Sequence, residues 1–203
     1  MSIVKFDEDY FEKGEETGVS CYTKYRWMPE LSIPLAKKLK MLFPGKTILD
    51  FGCAKGYLVK ALRLIGVDAY GCDISDYALS KAPTEIRKYV SKQLCYCDVI
   101  FAKDVFEHIP YNEIDALVKS LSKVCDEMLV IVPLSSRSDN KYNILAYEYD
   151  KTHIIREDLN WWKDIFRNNG FDVKTSTYNM AGYKDSWSGY KEGNARIFMK
   201  VRR

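Results

Sequence analysis

Residues 46–73 read KTILDFGCAKGYLVKALRLIGVDAYGCD, and this stretch decides the fold. The apolar run at residues 47–51 stops at Gly52, which is typical of a strand buried on both faces of a parallel sheet. Residues 57–65 carry apolar side chains at helical spacing, and Gly66 follows where a left-handed helix end is expected. The stretch therefore predicts a strand, a tight turn and a helix in direct succession.

The turn at residues 52–56, GCAKG, has a glycine at each end. Because glycine lacks side-chain bulk, a ligand can approach this backbone closely beside the helix N-terminus. A second strand is expected at residues 67–72, and Asp73 ends it where a carboxylate can accept both hydroxyls of a ribose. The G-x-x-x-G spacing differs from the G-x-G-x-x-G that seats a dinucleotide pyrophosphate. The turn and the acid therefore indicate a nucleoside site.

Two segments together resemble the class I S-adenosylmethionine-dependent methyltransferases. DFGCAKG at residues 50–56, followed by Asp73, resembles motif I and the second-strand acid of that family. DVIFAKDVFEHI at residues 98–109 resembles the fourth strand and the next segment of its small-molecule branch. The resemblance extends from Leu31 to the C-terminus. It implies a Rossmann-like α/β fold, with a seven-stranded, mostly parallel sheet flanked by helices and a reversed last strand.

The resemblance also implies that S-adenosyl-L-methionine is the cofactor. The residues expected to hold it lie in the turn, at the end of the second strand and in the fourth strand: Asp50, Gly52, Cys53, Ala54, Gly56, Tyr57, Asp73, Ile74 and Ala102. The third strand is expected at residues 86–90. Members of the family usually place near this strand an acid that contacts the adenine amino group. No clear equivalent precedes Asp98, so backbone groups or Tyr89 are the expected substitutes.

The composition bounds the architecture. With 203 residues, 47% of them hydrophobic and 29% charged, the chain is expected to form a single methyltransferase domain over residues 1–203. We expect a capping segment at residues 1–30, a cofactor-binding half at residues 46–133 and an acceptor-side half at residues 134–203. The acidic start of the sequence has no apolar targeting run, and no later run is long enough for a membrane helix. A cytoplasmic protein without a membrane partner is therefore expected.

Charge and cysteine content exclude some functions. The net charge of +3, with Lys and Arg scattered among acids, disfavours a dedicated nucleic-acid binder. Six cysteines in mostly apolar patterns fit buried thiols in a reducing compartment. Cys95 and Cys97 have no second Cys/His pair at zinc spacing. Glu148, Asp150 and His153 are an alternative oxygen-rich cluster, but we expect the carboxylates of such a charged loop to be solvated, and therefore no metal. The sequence does not predict the oligomeric state.

The two histidines of the chain are the candidate catalytic residues. Methyl transfer mainly requires positioning of the acceptor and, where needed, removal of its proton. His108 and His153 are both expected at the edge of the sheet where the resembled family binds its acceptor, and an imidazole can accept a proton near neutral pH. We favour His153, because it adjoins the long polar loop at residues 134–152. A structural hydrogen bond for His108 and a helix cap for His153 are the alternatives.

Aromatic segments suggest the class of acceptor. Residues 183–190, YKDSWSGY, offer flat apolar faces and a carboxylate that suit a sugar or another polyhydroxylated small molecule. In the N-terminal segment, Tyr10, Tyr25 or Arg26 is expected either to reach the carboxylate end of the cofactor or to pack on the sheet edge. Both segments are therefore expected to act as lids.

The resulting prediction is methylation of a hydroxyl on a small molecule or glycan. The first alternative is methylation of a nitrogen on a protein, an RNA or a small amine. For an exocyclic base amine, an N/D-P-P-Y motif is expected after the fourth strand, where residues 104–107 read DVFE. The second alternative is a protein that binds S-adenosylmethionine without catalysis, because motif I and Asp73 indicate binding but not turnover.

Overall fold

The computed structural model describes residues 5–136, 138–180 and 192–202. These residues contain seven strands: β1 (Ile48–Phe51), β2 (Ala69–Cys72), β3 (Val90–Ser91), β4 (Cys97–Lys103), β5 (Cys125–Pro133), β6 (Phe171–Thr177) and β7 (Asn194–Val201). They also contain seven α-helices: α1 (Glu8–Glu12), α2 (Gly14–Thr17), α3 (Pro29–Leu42), α4 (Tyr57–Leu64), α5 (Asp76–Ser80), α6 (Ile114–Leu121) and α7 (Leu159–Asn168). The strands form a seven-stranded mixed sheet in the order β3-β2-β1-β4-β5-β7-β6. The expected Rossmann-like α/β architecture is confirmed.

The chain divides into two compact units, which are described separately. Among the described residues, the first unit comprises those up to residue 95 together with residues 149–152. The second comprises residues 96–148 and those from residue 153 onward. The main boundary between the units falls between residues 95 and 96. The predicted cofactor-binding and acceptor-side halves stay a prediction.

The first unit is built on parallel pairing of β1 with β2 and of β2 with β3. Ile48 and Leu49 of β1 are fully buried, as expected for a strand covered on both faces. Helix α4 buries Val59 and Leu62 on its apolar side and packs against α3. Gly66 has a φ of +76°, which confirms the predicted left-handed end of this helix. The strand, turn and helix of the deciding stretch therefore form as predicted.

The second unit combines both pairing directions. Strands β4 and β5 are parallel, whereas β7 runs antiparallel to β5 and β6. Helix α7 starts at the Asp158 cap, whose side chain accepts the Trp161 amide, and it buries Trp162 and Phe166. The antiparallel pairing of β7 confirms the predicted reversal of the last strand.

One element boundary differs from its prediction. Strand β3 is shorter than residues 86–90, because the chain forms a 3-10 turn at Arg87–Tyr89 before it extends. Helix α3 begins at Pro29 and contains Pro34. Strand β5 begins at Cys125, which pairs with Cys97 in the parallel ladder.

Two predicted loops have different outcomes. The described residues of the polar loop at 134–152 include a bridge between Ser135 and Tyr142 and a 3-10 turn at Leu145–Tyr149. The predicted aromatic lid at residues 183–190 lies outside the described residues, so it stays a prediction. In the described parts of the chain, no helix has the length and apolar character needed to span a membrane.

Substituting Gly71 with alanine should destabilise the protein. A Cβ atom at position 71 would lie 2.7 Å from the Cys53 Sγ atom, 2.9 Å from its Cβ atom and 2.9 Å from the Val59 Cγ2 atom. Overpacking of a filled core typically costs about 1–3 kcal/mol. We expect Gly71→Ala to lower the free energy of unfolding, measured by chemical denaturation, by about that amount.

Cys53→Ala provides the matched control for this substitution. The double variant Gly71→Ala, Cys53→Ala should lose less stability than the sum of the two single variants, because removal of the sulfur relieves part of the overlap. Additive losses, or an unchanged unfolding energy in Gly71→Ala, would show that the core adapts without strain.

Candidate functional site

The turn between β1 and α4 has three residues in the left-handed region of the backbone. Gly52, Ala54 and Gly56 have φ angles of +77°, +49° and +73°. The amides of Gly52 and Cys53 both donate to the Cys72 carbonyl, at 2.8 and 3.1 Å. The backbone of the turn is therefore fastened to the end of β2, and glycine suits its two outer positions because it carries no penalty at positive φ.

The Asp73 carboxylate also forms a hydrogen bond to this turn. Its Oδ2 atom accepts the Ala54 amide at 2.7 Å, and its Oδ1 atom accepts the Ser75 amide at 2.8 Å. Burial raises the pKa of this carboxyl above its ordinary value, although these backbone amides oppose the shift. An ionised carboxylate has about four acceptor positions, so the two backbone bonds leave room for further donors.

The structure gives Gly56 a second reason to be glycine. A Cβ atom there would lie 2.8 Å from Ile86 Cδ1 and 3.1 Å from Val90 Cγ1. The sequence suggested open space for a ligand, but neighbouring side chains fill the space beside this Cα atom. Cys53 is buried, and Tyr57 stacks on Tyr25 with ring centroids 5.4 Å apart.

The remaining predicted cofactor residues differ in exposure. Asp50 is buried in β1, opposite Gly71 of β2. Ile74, directly after the Asp73 carboxylate, is 70% exposed and so presents an apolar face to the surroundings. Ala102 belongs to the second unit, where it is fully buried in β4.

Lys55 connects the N-terminal segment to the turn. This contact was not predicted from the sequence. Its ammonium group pairs with the Glu12 carboxylate and donates to the Tyr25 carbonyl at 2.6 Å. The Lys55 side chain is only 6% exposed, and Tyr77 also donates to Glu12 at 3.1 Å. Residues in such turns are usually exposed, so no local pattern signalled this buried ion pair.

The N-terminal aromatics pack on the first unit. Tyr10 is buried, and its hydroxyl donates to Asp150 Oδ2 at 3.0 Å, so this contact already engages a group that was expected to reach the cofactor. Tyr25 lies against Tyr57, whereas Arg26 is exposed. Of the two expected roles for these residues, the contacts of Tyr10 and Tyr25 in this structure are those of packing.

Tyr89, the expected substitute for an adenine-binding acid, is engaged by an arginine. The Arg63 guanidinium carbon lies 3.2 Å from the centroid of the Tyr89 ring. Arg63 also donates to the Ala69 carbonyl at 2.7 Å and pairs with Asp68. These contacts make one face of the Tyr89 ring part of a cation–π pair.

In the second unit, the structure brings the two histidines together. The rings of His108 and His153 have centroids 4.7 Å apart. Glu107, which is fully buried, places its Oε1 atom 4.0 Å from His153 Nε2. One side-chain nitrogen or oxygen from each of the three residues lies within 4.8 Å of the others. Glu107 directly precedes the candidate His108 in sequence, and this position was a usable signal for its place in the cluster.

Backbone hydrogen bonds hold this cluster in place. Glu107 and His108 belong to a 3-10 turn at Phe106–His108 that follows β4. The Glu107 carbonyl accepts the amides of Ile154 and Ile155 at 2.7 and 2.9 Å, which fixes the segment that carries His153. Two segments distant in sequence are thereby joined at their main chains.

A further hydrogen bond assigns the protonated nitrogen of His153. Its Nδ1 atom lies 2.9 Å from the Tyr147 carbonyl oxygen. A carbonyl oxygen can only accept, so Nδ1 carries the hydrogen and the neutral ring presents a lone pair at Nε2. The His153 side chain is 5% exposed, which leaves it little freedom to turn.

The carboxylates of the alternative cluster have other partners. Glu148 accepts two hydrogen bonds from the Arg156 guanidinium, at 2.6 and 2.7 Å. Asp150 accepts the Thr152 amide at 2.9 Å in addition to the Tyr10 hydroxyl. Both side chains therefore serve structural hydrogen bonds, rather than being solvated as expected.

Comparisons with known proteins agree with this fold. The model of a family described as a methyltransferase domain matches residues 23–176. A chain from a Haloferax volcanii complex between the Trm112 methyltransferase activator and a possible methyltransferase is 14% identical, with full coverage of both chains and a TM-score of 0.66. The magnesium protoporphyrin IX methyltransferase of Synechocystis PCC 6803, solved with S-adenosylmethionine, is 17% identical over 84% of this chain and 81% of that one, with a TM-score of 0.54.

A third structure is the N-terminal domain of EvdMO1 in the presence of S-adenosylhomocysteine and D-fucose. It is 15% identical over 85% of this chain and 83% of that one, with a TM-score of 0.58. No curated protein matches the chain. Since the family model spans most of the sequence, the chain belongs to the methyltransferase-domain family: it is a class I methyltransferase, and its cofactor is S-adenosylmethionine.

Proposed function

We propose that this enzyme transfers the methyl group of S-adenosylmethionine to a hydroxyl of a small molecule or of a sugar in a glycan. The observation that carries the proposal is the pairing of His108 and His153 beside the buried Glu107 carboxylate. A hydroxyl is a poor nucleophile while it keeps its proton, and an imidazole supported by a carboxylate is a common means of removing that proton.

The residues of the first unit fit the cofactor. Asp73 keeps acceptor capacity beyond its bonds to the Ala54 and Ser75 amides, so it can accept the ribose hydroxyls. Ile74 presents an exposed apolar side chain, which suits contact with the face of a purine ring. The left-handed turn at residues 52–56 lies beside the α4 N-terminus. In this proposal, Asp50, Gly52, Cys53, Ala54, Gly56, Tyr57 and Ala102 complete the surroundings of the cofactor.

In the mechanism, the protein orients the acceptor and manages its proton. S-adenosylmethionine supplies an activated methyl group on sulfur, so in-line placement of the acceptor oxygen provides much of the rate. His153 accepts the proton at Nε2, because Nδ1–H is held by the Tyr147 carbonyl. The Glu107 carboxylate, 4.0 Å away, stabilises the resulting imidazolium. His108 stands next to this pair and is the second candidate for the same step.

The sugar assignment has support from one solved neighbour. The EvdMO1 domain was solved in the presence of D-fucose, which shows that this fold has been studied with a sugar. The aromatic sequence at residues 183–190 suits such an acceptor. We also propose a cytoplasmic enzyme that acts without a nucleic-acid or membrane partner, on the basis of the mild net charge and of cysteines in mostly apolar patterns, which fit a reducing compartment.

The function can be tested by measuring S-adenosylhomocysteine release from the full chain over panels of hydroxylated small molecules and free sugars. Matched panels of amines, peptides and short RNAs serve as controls. Product formation with hydroxylated acceptors supports the proposal. Turnover only with amines, peptides or RNA would assign nitrogen methylation, and tight cofactor binding without turnover on any panel would indicate a non-catalytic binding protein.

Replacing Asp73 with asparagine should weaken cofactor binding. Loss of a charge-assisted hydrogen bond costs ~1.5–3 kcal/mol, which corresponds to a roughly tenfold to hundredfold rise in the dissociation constant. Titration calorimetry with S-adenosylhomocysteine measures this change. Asp76→Asn is the matched control, because the Asp76 carboxylate is nearby in sequence but pairs with Lys92 at the surface. Equal affinity in Asp73→Asn and the wild type would remove the ribose assignment.

Replacing His153 with glutamine should lower kcat without loss of cofactor affinity. General-base catalysis is typically worth ~10²–10⁴-fold, so a decrease of that order is expected at saturating cofactor. Tyr149→Phe, an exposed change in the same part of the chain, should leave the rate unchanged. If His153→Gln keeps the wild-type rate and pH profile while His108→Gln loses both, His108 is the base; if both keep them, positioning alone drives transfer.

A further inference from the structure

We propose that Glu107, His108 and His153 form a binding site for a divalent transition-metal ion. One potential ligand atom of each residue lies within 4.8 Å of the other two. The carboxylate is fully buried, and the His153 side chain is 5% exposed. A carboxylate and two imidazoles are side-chain types that bind divalent transition metals, so three such groups at this spacing suit a cation.

The orientation of His153 is that of a metal ligand. Metal-bound histidines usually donate their second ring N–H to a carboxylate, a backbone carbonyl or water, which fixes the ring and raises its basicity. The Nδ1 atom of His153 makes this contact with the Tyr147 carbonyl at 2.9 Å. The Nε2 atom, which then carries the lone pair, is 4.0 Å from Glu107 Oε1. A cation between these two atoms, either a proton or a metal ion, makes their approach favourable.

The site is also held by the backbone. The double hydrogen bond from Ile154 and Ile155 to the Glu107 carbonyl keeps the His153 segment beside the turn that carries Glu107 and His108. Ligands to zinc lie about 2.0–2.2 Å from the ion, so the three ligand atoms must approach one another by roughly 1 Å. Side-chain rotations achieve such a change without moving the main chain.

The ligand types select the class of metal. Two imidazoles and one carboxylate suit Zn²⁺, Fe²⁺, Co²⁺ or Mn²⁺, whereas Mg²⁺ and Ca²⁺ prefer sites made only of oxygen atoms. Three protein ligands leave at least one coordination position open, which distinguishes catalytic zinc sites from structural ones. This inference differs from the sequence-based expectation of no metal, which considered Glu148 and Asp150 as the partners of His153.

The catalytic role of the metal rests on the proposed function, whereas the binding of the metal does not. In the metal-bound enzyme, the acceptor hydroxyl occupies the open position and releases its proton to solvent. Its oxygen then forms the bond to the methyl carbon as the carbon–sulfur bond breaks, and the bonding electrons of that bond remain on sulfur. The two imidazoles act as ligands in this state, so the metal replaces the proton-accepting role described above for His153.

The inference is tested on the full chain after treatment with a chelator. Cobalt(II) is titrated in as a spectroscopic probe, and Zn²⁺ is then added as a competitor. We expect the protein to bind one equivalent of Co²⁺ and to show a visible absorption band. This band should disappear when Zn²⁺ displaces the Co²⁺. Glu107→Gln and His108→Ala should each weaken binding by about 100-fold or more, since loss even of a residue that supports a ligand typically costs 10–100-fold. Glu113→Gln, an exposed change in the same unit, is the matched control and should bind as the wild type does.

The outcomes separate this inference from the proposed function. Circular dichroism confirms that each variant is folded, and the half-buried His108 provides a second variant if Glu107→Gln does not fold. Absence of stoichiometric binding, or equal binding in folded His108→Ala and the wild type, would overturn the metal site. In that case the glutamate–histidine pair shares a proton, and methylation of hydroxyls is unaffected. Stoichiometric binding together with methylation only of amines would leave the metal site in place and overturn the proposed function instead.

Discussion

The hydrogen bond between the Asp73 carboxylate and the Ala54 amide is the contact on which the first unit depends. It joins the turn after β1 to the end of β2, and the Ser75 amide on the other carboxylate oxygen continues the connection into α5. Burial raises the pKa of this carboxyl and so disfavours its charged form, and the backbone hydrogen bonds partly oppose that effect. A purely structural connection could be made by a neutral group, so the presence of a half-buried acid here agrees with a role in binding.

Much of this unit could be predicted from local sequence. The apolar run of β1 and the helical spacing after Gly56 each depend on neighbours close in the chain, and both were predicted correctly. The two-residue strand β3 was not, because two residues carry no periodicity. The start of β5 likewise depends on a distant partner, since Cys125 pairs with Cys97 of the neighbouring strand.

The candidate catalytic cluster shows a different limit. Both histidines were identified as candidates because of their chemistry and their place in the resembled family, but their distance from each other was not predictable. His108 and His153 meet because the Glu107 carbonyl binds the backbone that follows His153, and no residue pattern records a main-chain contact over such a separation. The same holds for Lys55, which a sequence pattern would place in solvent but which is buried against Glu12 and Tyr25.

In the proposed cofactor site, the Lys55–Glu12 pair has an electrostatic consequence. S-adenosylmethionine carries a sulfonium charge, and the product that remains after transfer lacks it. An ammonium group in the turn would repel the charged reactant more than the neutral product, and it would thereby favour product inhibition. The Glu12 carboxylate neutralises Lys55, while Asp73 adds a negative charge at the same turn. The N-terminal segment thus gives the turn a field that favours the reactant over the spent cofactor.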